Sequence, residues 1–315
     1  MRVVSLDQVK AARDRIRPIS MLTPLVDVSV AAGRPLWLKC ESLQPGGAFK
    51  IRGAYNMVAQ LTDDQRRRGV ITYSSGNHGQ AVAIAARALG GPAVVVMPTT
   101  APSIKVEGTR RHGAEVIFAG TTSIHRRERA EAEAEARGLT MVPPFDHEWI
   151  VAGQGTLGLE ILDQLSGVAT VLVPIGGGGL ISGVAAALKQ SKPDVAVIGV
   201  EPIGAAAMKA SIEAGQVVTL PKTQSIADGL MAVRPGDLNF LHVQRFVDRI
   251  VTVDDPAIAD AVVWLFTRAK VVAEPSGAAT VAAALAPDAK YKEPVVAVIS
   301  GGNLDPADLD KYLKR

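Results

Sequence analysis

The sequence predicts an α/β fold of two open, twisted, mostly parallel sheets flanked by helices. Short β-branched runs alternate with Ala-rich helical stretches along nearly the whole chain. Aromatic residues are only 4% of the sequence, so the core must be built from Ala, Val, Leu and Ile, which suits helices packed on a buried parallel sheet. The 315 residues are enough for two modest domains or one large one.

Strands are expected, in order, at Leu36–Cys40, Val70–Tyr73, Ala93–Met97, Glu115–Phe118, 170–173, 195–200, 250–253 and Val295–Ile299. Helical patterns fill most of the intervals, at 80–89, 122–137, 181–190, 256–269 and 278–285. Alternation of this kind predicts right-handed crossovers between parallel strands. The clearest boundary is "VPPFDHEW" at 142–149, because paired prolines continue neither a helix nor a strand. The biased segment "RRERAEAEAEARG" reads as an exposed helix face, and no internal repeat stands out.

Composition excludes several function classes. With 48% hydrophobic and 21% charged residues the chain reads as a folded globular protein rather than a disordered one. The net charge of +3, from 34 basic and 31 acidic residues interleaved along the chain, implies no nucleic-acid partner. The one basic cluster, Arg66, Arg67 and Arg68, reads as a solvated helix end. The single Cys40 can form neither an internal disulfide nor a multi-cysteine metal site, and its apolar run predicts a reduced, half-buried thiol. The N-terminus lacks a signal-like apolar stretch and no run reaches membrane-spanning length. No membrane partner is expected, and the compartment is read as the cytoplasm.

In open α/β sheets ligands bind beyond the carboxyl ends of strands, and three such loops are chemically loaded. Gly176, Gly177, Gly178 and Gly179 follow the strand pattern "TVLVPI" and precede the helix pattern "LISGVAAALKQ". Their backbone N–H groups can surround an anion at a helix N-terminus, although a tight turn would use the same residues. A dinucleotide fingerprint fails in every register, since the last position falls on Ile181 or Ser182. A compact phosphate fits better than a pyrophosphate. The second loop, Ser74, Ser75, Gly76, Asn77, His78, Gly79 and Gln80, offers hydroxyls, an amide and an imidazole for a carboxylate, with ordinary N-capping as the alternative. The third, Ser300, Gly301, Gly302 and Asn303, either turns toward a helix near Asp305 or brings the Ser300 hydroxyl to a ligand. A polar segment at 46–53 carries Lys50 between Phe49 and Ile51, where burial would lower the ammonium pKa and free the amine to attack a carbonyl. A snorkelling surface lysine is the plain alternative.

The segments "GAFKIRGA", "SSGNHGQA", "PPFDH", "AGQGTLGLE", "PIGGGGLISG", "EPSGA" and "SGGN" occur in an order that resembles the fold-type II, pyridoxal-phosphate (PLP) dependent serine/threonine dehydratase and serine racemase family. The resemblance runs from about Thr23 to Asn303 and implies a tryptophan synthase β-like architecture. It implies a large cofactor-binding domain of 1–58 with 146–315 and a small mobile domain of 59–145, set to within about ten residues. It implies that Lys50 carries the cofactor as a Schiff base and acts as the base at the substrate Cα. Phe49 would pack beside the cofactor and Asn77 would bond its phenolic oxygen. Gly176, Gly177, Gly178 and Gly179 would hold its phosphate, and Ser300 would face its ring nitrogen. Ser74, Ser75, Gly76 and His78 would surround the carboxylate of a small amino-acid substrate. The implied reaction is β-elimination from L-threonine or L-serine to a 2-oxo acid and ammonia, in a homodimer. Only "LDPADLDKYLKR" follows Asn303, so no C-terminal regulatory domain is expected.

Local features qualify the resemblance. Ala48 stands where many relatives have serine. Ser75 matches a second base in racemase-like members, which makes racemisation the alternative outcome, while "PPFDH" looks more like the threonine dehydratases. Glu201 and Ala205 match a cation site of metal-binding relatives, but Ala207 stands where the second carboxylate belongs, so no tight metal site is expected. His125 is read as an exposed helical histidine; if it faced the pocket, 3-hydroxyaspartate would become a substrate candidate. A non-catalytic PLP-binding protein and a phosphosugar binder are the alternatives from other classes.

Overall fold

The computed structural model describes residues 2–74, 76–101, 103–121 and 123–314. The strands are β1 (Leu25–Asp27), β2 (Leu36–Cys40), β3 (Val70–Tyr73), β4 (Ala93–Met97), β5 (Glu115–Phe118), β6 (Thr140–Met141), β7 (Thr170–Pro174), β8 (Ala196–Pro202), β9 (Arg249–Val253) and β10 (Val295–Ile299). The helices are α1 (Leu6–Ile16), α2 (Ser29–Ala32), α3 (Lys50–Val58), α4 (Asp63–Arg68), α5 (Asn77–Ala88), α6 (Ser103–Arg111) and α7 (Ser123–Arg137). They continue with α8 (Glu148–Gln164), α9 (Gly179–Ser191), α10 (Ala207–Ala214), α11 (Asp237–Phe246), α12 (Asp255–Trp264), α13 (Pro275–Leu285) and α14 (Pro306–Leu313).

Two sheets form. The larger runs β1-β2-β10-β7-β8-β9, parallel except for β1 at its edge; the smaller, all parallel, runs β5-β4-β3-β6. The central strands are buried on both faces, and their side chains alternate between two cores. Val295, Ala297 and Ile299 of β10 pack with Ile258 and Val281, whereas Val296 and Val298 pack with Ile181 and Val184. The chain's last strand, β10, lies between β2 and β7 in parallel register. The loops leaving the carboxyl ends of these three neighbouring strands therefore converge. They are the segment leading to Lys50, the Ser300 loop and the glycine run.

Three expectations need correction. Lys50 opens helix α3 rather than sitting in a polar loop. Nearly every residue of α3 is buried, its polar Arg52 and Asn56 included, and nine residues with Gly53 among them make a short, weak helical signal. Residues 256–269 are not one α-helix: α12 gives way at Leu265–Ala269 to a π-turn that ends at Lys270, with φ +60°. The Cys40 thiol is buried outright, not half-buried, because β2 is covered on both faces. The basic cluster of Arg66, Arg67 and Arg68 does form the last turn of α4.

A buried ionic network pins α3. Arg52 Nε donates to Glu41 at 2.7 Å and its Nη1 to Glu160 at 2.6 Å, while Lys39 Nζ reaches Glu160 at 2.7 Å. Two cations and two anions from β2, the turn after it, α3 and α8 thus neutralise one another out of water. Such an arrangement fixes geometry more surely than it adds stability.

Candidate active site

The converging loops are bonded directly to one another. The Phe49 N–H donates to the Ser300 carbonyl at 3.1 Å, and the Gly302 N–H to the Gly47 carbonyl at 2.9 Å. Asn303 Nδ2 donates at 2.8 Å to both the Gly46 carbonyl and Asn77 Oδ1, which brings the first residue of α5 into the same junction. Gly47 is at φ +71°, and a Cβ there would stand 2.3 Å from Asn303 Oδ1, so the turn before Lys50 requires glycine.

Lys50, partly buried at the start of α3, donates from Nζ to the Pro144 carbonyl at 2.8 Å, with the Phe49 ring centroid 5.1 Å away. Burial pushes its ammonium down to about 8. His78 is buried, and its Nε2 lies 3.1 Å from the Val142 carbonyl. A carbonyl oxygen only accepts, so Nε2 carries the proton and Nδ1, buried without a partner, is left as an acceptor. Burial, with the nearby Lys50 charge, pushes the imidazole down to about 3. The prolines of 142–146 thus do more than mark a boundary, because their segment supplies the carbonyls that hold both Lys50 and His78.

The glycine run is enclosed by backbone and side chains. A Cβ on Gly177 would meet the Phe145 ring at 2.3 Å, one on Gly178 the Met208 Cε at 2.7 Å, and one on Gly176 the Gly229 carbonyl at 3.0 Å. Among the described residues, the N–H groups of Gly176, Gly177, Gly178 and Gly179 find no acceptor in the chain. Four free donors at the head of α9, in a loop too close-walled for side chains, fit a phosphate group.

Several of the residues named from sequence serve each other. Ser74 Oγ accepts the Gly76 N–H at 3.1 Å, and Ser300 Oγ lies 3.4 Å from the Ser276 carbonyl. Ser75 lies outside the described residues. His125 is exposed on α7, packed over Gly120. Glu201 does not fit a cation site. Its two carboxylate oxygens accept the Met208 and Lys209 N–H groups at 2.9 and 2.8 Å, and Ala207 adds no ligand.

Sequence reasoning missed Glu274. Its buried carboxylate accepts from Asn77 Nδ2 at 2.5 Å and is pushed up to about 7 by burial and by the nearby Asp228 charge. The signal was present, since Glu274 begins "EPSGA", but nothing in the sequence joined it to Asn77, 197 residues away. Asn239 and the Lys105–Asp228 ion pair were missed for the same reason.

The family described as "Pyridoxal-phosphate dependent enzyme" matches residues 16–301. An L-threonine ammonia-lyase of Thermotoga maritima is 43% identical over 99% of this chain and 79% of its own length. A serine racemase of Oryza sativa subsp. indica is 41% identical over 95% of this chain and 91% of its own. The solved structure of maize serine racemase is similar at TM-score 0.94 and 39% identity, covering 99% of this chain and 98% of that one. With the match spanning both sheets and every loop of the site, the chain belongs to the pyridoxal-phosphate dependent enzymes.

Proposed function

We propose that this enzyme eliminates the β-hydroxyl of L-threonine or L-serine, releasing a 2-oxo acid and ammonia. The observation that carries the reading is the desolvated Lys50 amine, held by the Pro144 carbonyl where the loops meet. The name L-threonine ammonia-lyase, borne by a relative with 43% identity, supports the substrate class.

When bound, PLP supplies a carbonyl for attachment and a ring that draws electrons from the substrate Cα. Gly176, Gly177, Gly178 and Gly179 would hold its phosphate through their free N–H groups, and Asn77 and Ser300 would hold its ring. Phe49 would pack beside it. Lys50 Nζ takes the Cα proton, a task its lowered pKa suits near neutral pH. The Ser74 hydroxyl, whose oxygen already accepts the Gly76 N–H, would donate its own proton to the substrate carboxylate. His78 Nδ1, as an acceptor, suits a substrate N–H better than a carboxylate. The Cβ–O bond breaks as the hydroxyl leaves with a proton as water, and the freed unsaturated amino acid hydrolyses to 2-oxo acid and ammonia. Ser300 would offer a neutral hydroxyl, not a carboxylate, to the ring nitrogen, and so would give it no acidic partner to stabilise its protonation.

Racemisation is the second reading, favoured by the serine racemase relatives. Both enantiomers of serine, threonine and 3-hydroxyaspartate should be offered, with 2-oxo acid assay and chiral analysis run side by side. Keto acid from L-threonine or L-serine without enantiomer exchange is expected. Exchange exceeding elimination would make the enzyme a racemase, and neither product would overturn the reading. We propose a cytoplasmic location, because a lone free thiol at Cys40 with no disulfide suits a reducing compartment; no described helix is long and apolar enough to cross a membrane. A homodimer is proposed on the exposed apolar side chains of Met21, Leu22 and Leu43, and light scattering tests it.

A further inference from the structure

Asn239, on the first turn of α11, is fully buried. Its Nδ2 donates to the Gly177 carbonyl at 3.0 Å and to the Phe145 carbonyl at 3.3 Å. Its own Oδ1 is buried with no partner among the described residues. Flipping the amide would set Oδ1 against two carbonyl oxygens, so the orientation is fixed by its donors at the expense of an unpaired acceptor. A buried polar group left unsatisfied in this way calls for an explanation beyond packing.

The glycine run supplies one. The Gly177 carbonyl accepts a second bond, from the Gly236 N–H at 3.1 Å. In a planar trans peptide the C=O and the following N–H point in opposite directions. Two donors from α11 on the Gly177 carbonyl therefore turn the Gly178 N–H away from α11. Gly178 sits at φ +98°, and a Cβ there would meet Asn239 Cβ at 2.9 Å, so the loop is pressed directly on this helix turn. Asp146 closes the unit from the other side, accepting the Asp237 and Leu238 N–H groups at 3.0 and 3.1 Å. Segment 143–146, which holds Lys50, and the loop that would hold the phosphate are thus clamped by one amide.

We propose that Asn239 is a positioning residue that aims the Gly178 N–H at the cofactor phosphate and keeps it in register with the Lys50 segment. The inference rests on residues 176–179 being the phosphate cradle.

Full-length protein carrying Asn239→Asp or Asn239→Ala should be titrated with PLP and, separately, with pyridoxal, which lacks the phosphate. Binding is followed by visible absorbance. Asn239→Asp should weaken PLP binding about a hundredfold and Asn239→Ala about tenfold, with pyridoxal binding changed by less than about threefold. Asp costs more because its carboxylate repels the Gly177 carbonyl and draws the Gly178 N–H toward itself. His242→Ala, one turn along, breaks buried bonds to Val4 and Leu238 and should lower the melting temperature while leaving the preference for PLP intact. Equal loss of both ligands in the Asn239 variants, or loss of neither, overturns the proposal. If the unaltered protein itself fails to prefer PLP over pyridoxal, the cradle assignment falls first. Should both variants fail to fold, amide exchange in the unaltered chain decides. The Gly178 N–H must exchange at least about tenfold more slowly with PLP than with pyridoxal, and equal rates overturn the proposal. None of these readings depends on which amino acid is the substrate.

Discussion

Among the described residues, Lys50 Nζ meets one hydrogen-bond partner, the Pro144 carbonyl, which favours the charged amine only weakly against its burial. Lys50→Ala should therefore abolish the borohydride-sensitive visible band of the PLP-loaded enzyme and lower turnover by about a thousandfold or more. A band that persists in the variant would show that another group carries the cofactor. Glu274 makes a separate prediction about stability. Its folded pKa, about 7, lies above the ordinary value of 4.5, so between those values the folded state holds a proton that the unfolded chain has lost. Its contribution is fully present below about pH 4.5 and is lost as pH rises through 7. Glu274→Gln keeps an acceptor for Asn77 Nδ2 and removes the titration. Urea unfolding at pH 5 and pH 8 should show the unaltered protein losing more stability across that interval than the variant, and parallel losses would refute the assignment.

The elements that carry the site differ in how openly the sequence announces them. The glycine run and the Ser300 loop were legible because each follows a short, uniformly apolar strand, β7 or β10, and punctuates it with glycine. Helices α3 and α8 were not: α8 is buried along most of its length and lacks the polar face from which helical periodicity is read, and α3 is only nine residues long with Gly53 inside it. Contacts such as Asn77 with Glu274, or Asn239 with Gly177, join residues whose closeness depends on the strand order, and no local pattern encodes that order. Arg52 belongs to the same class: two residues after Lys50, it is fully buried against Glu41 and Glu160, partners that no local pattern joins to it. Arg52→Met would leave both carboxylates buried and short of a cation, at a cost of about 3–5 kcal/mol. Chemical unfolding should register that loss. The companion variant Glu160→Gln should cost less, because it leaves a neutral acceptor for Arg52 and Lys39. Equal stability of Arg52→Met and the unaltered protein would show that the network does not hold α3.

At the scale of the molecule, the two sheets meet around the site, and the small sheet with its helices contributes Asn77, His78 and Lys105 to a junction otherwise built by the large one. We propose that this smaller unit, about residues 59–145, shifts to admit and enclose the substrate. The Lys105–Asp228 ion pair runs from α6, packed on α5 and β5 of the smaller unit, to the turn Asp228–Leu230 that backs Gly176. Lys105 also lies against Gly76, in the loop assigned to the substrate carboxylate. The pair joins the moving unit to the cofactor side, so it should favour the closed arrangement. Asp228 is 44% exposed, which confines the latch to the range of surface ion pairs, about 1 kcal/mol at most, or about fivefold in the open–closed balance. Lys105→Ala should therefore raise KM by up to about fivefold with kcat changed little, and the swapped pair Lys105→Asp with Asp228→Lys should recover part of the loss. Salt gives an independent check. Raising ionic strength to about 0.5 M screens a partly exposed pair, so it should raise KM in the unaltered enzyme and leave Lys105→Ala nearly unmoved. If both enzymes respond to salt alike, closure does not depend on this pair.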